Sequence, residues 1–140
     1  RGETNPHVIP EILRQLREHP DVLHLGNLDA RRDYVHVTDV AAAIRLFLDS
    51  DAAGCRTYNV GTGVSSSVAD IVHALEAALG RAIRIEQSTD KMRPVDRPNL
   101  QADNSRIRAG FAWAPRVTLA DGLRDLLDEA PRTVSANLRA

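Results

Sequence analysis

The amino-acid sequence predicts a small mixed α/β domain, and three observations lead to that prediction. Apolar stripes with helical period alternate with short runs rich in β-branched residues along the 140-residue chain. Hydrophobic residues make up 43% and charged residues 26%, the balance of an ordinary globular domain. The predicted strands are few and no uninterrupted βαβαβ run occurs, so we do not expect a complete doubly wound sheet from this chain alone.

The first two helices are predicted from apolar residues spaced three and four positions apart. One runs from Val8 to about Leu16, and its Pro10 is tolerable only in the first turn. The next carries the stripe Val40, Ala43, Ile44, Phe47 and Leu48, which we expect to face the core. Thr38 is the predicted N-cap of this second helix.

Two later helices have clearer boundaries. Val68–Leu79 begins at the capping-box spacing Ser67-x-x-Asp70 and ends before Gly80. The last helix follows Thr118 and has four leucines, which we expect in the core, braced by residues 108–113: Leu119, Leu123, Leu126 and Leu127.

Four short strands are predicted between these helices, each bounded by Gly, Asn, Asp or a helix cap. They are Val22–Leu25, Tyr34–Val37, Thr57–Val60 and Ile83–Ile85. We interpret His36, which alternates with Tyr34, as a structural histidine beside a helix N-terminus. Residues 87–105 have no apolar period, and a loop of this length is usually functional or disordered.

Composition and charge exclude several classes of protein. Eighteen basic and nineteen acidic side chains give a net charge of −1, which does not indicate a nucleic-acid or membrane-surface partner. No segment approaches the roughly 20 apolar residues of a membrane span. Cys55 alone cannot form an internal disulfide, and the histidines show no zinc-ligand spacing, so no metal site is predicted. We expect a cytoplasmic protein, and since Met92 is the only methionine, a piece of a longer one.

Gly61-Thr62-Gly63 follows a predicted strand and precedes a helix, where a phosphate-binding loop would lie. Ser66 stands where the third glycine of G-x-G-x-x-G would be, and no acidic residue ends a second strand about 20 residues on. We therefore favour a plain strand-to-helix turn over a dinucleotide loop. No nucleophile and base are paired by the sequence, so we assign no catalytic residue to this chain.

The arginines are more suggestive. Arg31–Asp33 opens a predicted strand directly before a helix, and Arg93–Pro98 lies in the long polar loop. A guanidinium fork suits bidentate contact with phosphate oxygens, and the adjacent Asp96 can accept from a sugar or base. Surface ion pairs would account for the same residue types, and residue type alone does not separate the two interpretations.

The run Leu25–Ala41 resembles the substrate-domain signature of extended short-chain dehydrogenase/reductases that act on nucleotide sugars. Its portion LGNLDARRD is most similar to GDP-mannose 4,6-dehydratases, whereas Val35-His36-Val37 has the form commoner among 4-epimerases and related reductases. The similarity covers roughly residues 1–128. Further stretches agree in order and spacing: Arg1–Pro10, Tyr58–Gly63, Arg93–Asp96 and Trp113–Pro115.

This resemblance implies the C-terminal, substrate-binding part of an NAD- or NADP-dependent nucleotide-sugar epimerase or dehydratase (a lyase in the latter case), over residues 1–130 with a frayed tail at 131–140. In that family a Rossmann half, missing from this chain, carries the Gly-rich loop and a Tyr-x-x-x-Lys pair. The chain alone is then expected to bind no cofactor and to be inactive, and the intact enzyme to be a homo-oligomer. A stand-alone, non-catalytic nucleotide-sugar-binding or assembly module is the alternative.

The family pattern also implies roles for five residues. Asn27 and Arg32 would contact the nucleotide and its diphosphate. Arg93 would contact a phosphate or ribose, and Asp96 the ribose or base, while Asn5 would help to position the substrate. We expect Arg32 and Arg93 to face one cleft, because two forks from different elements can hold adjacent phosphates.

Overall fold

The structure, a computed structural model, describes residues 7–50, 54–92 and 97–129, and it confirms the mixed α/β class. Residues 131–140, the predicted tail, lie outside the described residues. The elements follow one another along the chain as α1 (Val8–Glu18), β1 (Val22–Leu25), β2 (Arg31–Asp33), α2 (Val37–Leu48), β3 (Ser65–Ser67), α3 (Val68–Leu79), β4 (Arg84–Gln87), a 3-10 turn (Thr89–Lys91), β5 (Asn99–Leu100), α4 (Ser105–Gly110) and α5 (Leu119–Glu129).

The strands form two small sheets. Strand β1 pairs in parallel with β4, so that Val22 lies opposite Arg84. In the other sheet β2 is central, antiparallel to β3 and parallel to β5. Arg32 is consequently placed between Ser66 on one side and Leu100 on the other. This central position matters for the site described below.

The larger core lies between the β1–β4 sheet and helices α1, α3 and α5. Helix α3 has the predicted capping box, with Ser67 Oγ accepting from Asp70 N at 3.0 Å and Asp70 Oδ2 accepting from Ser67 N at 2.8 Å. It ends at Gly80, whose φ of +67° is one that L side chains rarely adopt. The fully buried side chains of this core are Ile12, Leu23, Ile71, Val72, Leu75 and Leu123.

A second, smaller core lies beneath α2. Ala43, Ile107 and Trp113 are buried there, and the rings of Phe47, Tyr58 and Phe111 pack on them. The stretch 108–113 therefore belongs to this core, and the prediction that it braces the last helix is wrong. Helix α5 packs instead on α3, with Leu123 buried and Leu126 40% exposed.

Helix α2 differs from the prediction in its N-cap residue and in the exposure of two of its apolar side chains. It begins at Val37, and its N-cap is His36 rather than Thr38, since His36 Nδ1 accepts from Thr38 N at 3.3 Å. This confirms the structural role expected for the histidine. Ile44 and Leu48, predicted to face the core, are 51% and 80% exposed because that core contacts only the side of α2 that carries Ala43.

Four predictions for the strands and loops also differ from the structure. The strand predicted at Tyr34–Val37 lies earlier, at β2, because β3 and β5 give backbone partners only up to Asp33. Thr57–Val60 forms no strand, since it has no strand partner among the described residues. Residues 87–105 contain the 3-10 turn and β5, and β4 begins one residue later than predicted. The bounds of these strands depend on pairing between distant parts of the chain.

We expect the stability of this fold to fall between pH 4.5 and about 2 through Glu11. Two hydrogen bonds from the Arg14 guanidinium lower the pKa of the Glu11 carboxyl to about 2, helped by Gln15 and Lys91 and opposed by partial burial. Because the pKa is lower in the folded state, this stabilisation is complete above pH 4.5 and is lost as the carboxylate is protonated. Its size is about 1–2 kcal/mol, given that Arg14 is solvent-exposed.

The measurement is the urea midpoint of the chain and of Glu11→Gln between pH 7 and 2. The stability difference between the wild type and Glu11→Gln should disappear across this window, while Asp125→Asn, at an exposed position of α5, should leave the profile unchanged. Parallel profiles for wild type and Glu11→Gln would contradict the expectation.

Candidate functional site

Arg32, on the central strand β2, lies beside one end of the long polar loop. Its Nη1 donates to the carbonyl of Arg31 at 2.7 Å and to the carbonyl of Arg97 at 2.8 Å. Strand β5 begins two residues after Arg97, and Arg31 N donates to Pro98 O at 2.9 Å. The guanidinium is thus oriented by main-chain oxygens where the loop rejoins the sheet.

The other end of the same loop lies against Gly26, at the end of β1. A Cβ on Gly26 would lie 2.4 Å from the carbonyl oxygen of Lys91, so only glycine permits this approach. Lys91 Nζ donates to the carbonyl of His24 at 3.1 Å. Asn27 follows directly and forms a local turn, its Oδ1 accepting from Asp29 N at 2.9 Å.

Of the five predicted binding residues, the structure therefore describes two. Asn27 and Arg32 both lie on the segment that runs from Gly26 to Arg32. One end of this segment lies beside Met92 and the other end lies beside Arg97. Asn5, Arg93 and Asp96 lie outside the described residues. The expected approach of Arg32 and Arg93 to one ligand stays a prediction, although the flanks of Arg93–Asp96 lie at Gly26 and Arg32.

An apolar cleft of about 340 Å³ is lined by Tyr34, two residues beyond Arg32, together with its neighbours Asp33 and Val35. The Tyr34 hydroxyl is buried and has no hydrogen-bond partner among the described residues. Burial raises the pKa of this phenol, and the nearby charge of Arg32 opposes that shift. Helix α5 forms the opposite wall with Leu119 and Leu126. Sequence reasoning missed this cleft, although the spacing of Arg32 and Tyr34 was a usable signal.

Asp33, also missed from the sequence, organises the backbone next to Arg32. Its Oδ1 accepts from Thr62 N at 2.8 Å and Thr62 Oγ1 at 2.6 Å, and its Oδ2 accepts from Gly63 N at 2.9 Å and Ala102 N at 3.2 Å. The amides of the Gly61–Gly63 turn are therefore used by a carboxylate of the same chain. This supports the interpretation as a plain turn and leaves those amides unsuited to a dinucleotide phosphate.

Asp39 plays a similar part at the start of α2. Its buried carboxylate accepts from the amides of Arg116 and Val117 at 3.1 Å, and its carbonyl accepts from the Trp113 indole at 3.0 Å. These bonds fix the segment that leads into α5, the far wall of the cleft.

Two further features of the described residues limit the chemistry of the site. Within residues 7–50, 54–92 and 97–129, His, Cys, Asp and Glu side chains nowhere gather in groups of three that could hold a metal ion. No helix in the described part of the chain has the length and apolar character needed to cross a membrane. The described residues provide the oriented guanidinium of Arg32, the side-chain amide of Asn27 and a largely apolar cleft.

Comparison with known proteins identifies the family. The model of the GDP-mannose 4,6-dehydratase family matches residues 1–126. UDP-glucose 4-epimerase 1 of Oryza sativa subsp. japonica is 36% identical over 106 residues, which are 72% of this chain and 29% of that protein. GDP-6-deoxy-D-mannose reductase of Pseudomonas aeruginosa is 25% identical over 133 residues, 91% of this chain and 43% of that protein. The chain thus spans less than half the length of either relative.

Solved structures agree with this assignment. UDP-glucose 4-epimerase from Bifidobacterium longum, in complex with NAD+ and UDP, superposes with a TM-score of 0.76 at 26% identity, covering 90% of this chain and 40% of that one. The Stenotrophomonas maltophila enzyme, with bound NAD and formylated UDP-arabinopyranose, gives 0.76 at 29% identity, covering 91% and 40%.

Proposed function

Since the chain belongs to the GDP-mannose 4,6-dehydratase family of nucleotide-sugar epimerases and dehydratases, we propose that it is the substrate-binding part of an NAD(P)-dependent enzyme of this kind. In this proposal it binds the nucleotide diphosphate, and a dinucleotide-binding part outside this chain carries out hydride transfer. Both a 4,6-dehydratase acting on a GDP-sugar and a 4-epimerase acting on a UDP-sugar fit the proposal.

The observation that carries the proposal is the placement of Arg32. Two main-chain carbonyls orient its guanidinium where the segment that starts at Gly26 meets Arg97. The lining of the apolar cleft includes Tyr34, two residues further along the chain. A cation in a fixed direction beside an apolar wall suits a ligand that joins a diphosphate to less polar rings. Asn27, on the same connection, adds an amide for the nucleotide.

The chemistry divides between the two parts of the enzyme. In the intact enzyme, NAD(P) held by the part outside this chain would supply the hydride-transfer chemistry at C4 of the hexose. The described residues do not fit this cofactor, because Asp33 occupies the amides of Thr62 and Gly63. Their task is to hold the nucleotide so that remote binding energy keeps the reacting carbon in place. The NAD bound in both solved relatives supports NAD(P) as the cofactor of the intact enzyme.

The chain alone is expected to show no binding of NAD or NADP at micromolar concentrations and no turnover of GDP-mannose. Isothermal titration calorimetry checks the first expectation, with UDP and GDP as comparison ligands. Saturable binding of NAD or NADP with a micromolar dissociation constant would overturn the proposal that the cofactor binds outside this chain.

Arg32→Ala is expected to weaken nucleotide-sugar binding by about 1.5–3 kcal/mol, the range for a lost hydrogen bond to a charged group. Arg32→Lys should recover only part of this loss, because lysine keeps the charge and lacks the fork. Arg84→Ala is the matched control, since Arg84 lies on β4 and pairs with Glu86 at 3.2 Å. Calorimetry of the intact enzyme with UDP-glucose and GDP-mannose measures all three variants and shows which of the two nucleotide sugars binds more tightly.

Arg93→Ala should weaken binding similarly, and the double variant should lose less than the sum of the two single losses, because both side chains would share one ligand. If Arg32→Ala binds UDP-glucose and GDP-mannose as tightly as the wild type binds each of them, the proposed function is contradicted.

A further inference from the structure

The edge of strand β1 that does not pair with β4 is closed by a side chain of helix α1. The backbone amide of His24 donates to Gln15 Oε1 at 2.8 Å, and Gln15 Nε2 donates to the His24 carbonyl at 3.1 Å. Gln15 is only 4% exposed, so its side-chain amide stands in for one residue of a neighbouring strand. The end of β1 is thereby tied to α1.

Lys91, the last residue of the 3-10 turn, is a second donor to the same carbonyl. Its Nζ lies 3.1 Å from His24 O and 3.4 Å from Glu11 Oε1. A carbonyl oxygen has two lone pairs, so it can accept from Gln15 and Lys91 together. Glu11 also accepts from Gln15 Nε2 at 2.8 Å, and its side chain is 19% exposed. Glu11, Gln15 and Lys91 therefore form one polar network around the His24 carbonyl.

Asn27 lies three residues beyond the carbonyl at the centre of this network. Between them, Gly26 is held on two sides: its carbonyl accepts from Gln87 Nε2 at 3.2 Å, and the main chain of Lys91 fills the space that a side chain would need. Asn27 Oδ1 is used by the amide of Asp29, and Nδ2 has no acceptor among the described residues. Nδ2 is thus the group that can donate to a ligand, and its direction depends on the backbone that the network fixes.

We propose that Lys91, held by Glu11, is a positioning residue for Asn27. By fixing the end of β1, the Lys91–Glu11 pair keeps the Asn27 amide in the direction in which it binds the nucleotide, and neither residue of the pair contacts the nucleotide itself. The inference rests on the proposed function, which gives Asn27 its binding role. A group that is held in its bound direction before the ligand arrives loses less conformational freedom on binding, so the pair contributes to affinity through Asn27.

A matched control lies at the opposite end of the same two strands. Arg81 Nη1 pairs with Asp21 Oδ1 at 3.0 Å, just before β4 and β1 begin. The side chains of Lys91 and Arg81 are similarly exposed, at 41% and 35%. Removing either cation therefore breaks one ion pair between these parts of the chain, and only one of the two pairs lies beside Asn27.

The experiment measures the dissociation constants of UDP-glucose and GDP-mannose with the intact enzyme by calorimetry. For the nucleotide sugar that binds more tightly, Lys91→Met and Glu11→Gln should each raise the constant by about threefold to fivefold, as for the loss of a partly exposed ion pair. Lys91→Arg should bind more tightly than Lys91→Met, because arginine keeps the cation. Arg81→Met should change the constant by less than about 1.5-fold.

Two further measurements separate positioning from a general loss of stability. In the Asn27→Ala background, adding Lys91→Met should weaken binding by less than about 1.5-fold more, because the group that Lys91 positions is gone. The NMR resonances of the Asn27 side-chain amide and of the Asp29 amide should shift in Lys91→Met and stay in place in Arg81→Met, since these two groups form the turn that the network holds.

The inference is overturned if Lys91→Met binds as tightly as the wild type, or if Arg81→Met weakens binding as much. It is also overturned if the effect of Lys91→Met is undiminished in the Asn27→Ala background, because Lys91 would then act through another group. Arg32→Ala in the same preparations tells this failure from failure of the proposed function. If Arg32→Ala weakens binding and Lys91→Met does not, only the positioning role is lost; if neither does, the proposed function fails as well.

Discussion

Asp33→Ala is expected to lower the free energy of unfolding by about 3–5 kcal/mol, a large effect for a side chain that is not fully buried. The carboxylate accepts hydrogen bonds from three backbone amides, those of Thr62, Gly63 and Ala102, and from the Thr62 hydroxyl. Alanine would leave the three partly buried amides without this acceptor, at about 1–3 kcal/mol each.

The loss can be measured by urea unfolding, with the slope of the transition compared between variants. Asp33→Asn should be milder than alanine, because its amide keeps one oxygen for these donors. Asp29→Ala, at an exposed position four residues earlier, is the control and should change stability by less than about 0.5 kcal/mol. An Asp33→Ala variant as stable as the control would show that the turn and β2 are held together by other contacts.

Leu123→Ala is expected to cost about 2–5 kcal/mol, the usual range for a fully buried leucine. Leu123 is 1% exposed and belongs to the larger core, where α5 packs on α3. Replacing its isobutyl side chain with a methyl group would leave a cavity between the two helices. The expected magnitude therefore combines lost burial with lost contacts around that cavity.

Leu126→Ala provides the comparison, since this residue lies on the same helix and is 40% exposed. Its cost should be about 0.5–1 kcal/mol, in keeping with a partly exposed site. Thermal or urea unfolding of both variants separates the two positions. A loss below about 0.5 kcal/mol for Leu123→Ala would mean that α5 is not anchored as described.

Elements whose signals are local could be predicted from the sequence. Helix α3 is bounded by Ser67 and Gly80, as its capping box and terminal glycine predict, because both devices act within one turn of the helix. Strands that depend on distant partners were predicted unevenly: Val22–Leu25 has the predicted bounds, whereas Tyr34–Val37 and Thr57–Val60 do not form strands. Thr57–Val60 has the composition of a strand, yet a strand forms only where another backbone pairs with it.

The candidate site divides in the same way. The family pattern implies binding roles for Asn27 and Arg32 because both residues stand in one short run, and these roles stay predictions. The bond from Arg32 to the carbonyl of Arg97 spans 65 positions, and Asp33 reaches Ala102 across 69. No local pattern marks such contacts, since they arise only when β5 pairs with β2.

The way the polar loop is held at its flanks has a consequence for how specificity can change within this family. Gly26 leaves room for the main chain of Lys91, while Arg32 and Arg31 bind the carbonyls of Arg97 and Pro98. Main-chain groups are the same whatever side chains lie between them. On the proposed function, exchanging residues 93–96 while both attachment points are kept is expected to change the preference for base or sugar without a new fold.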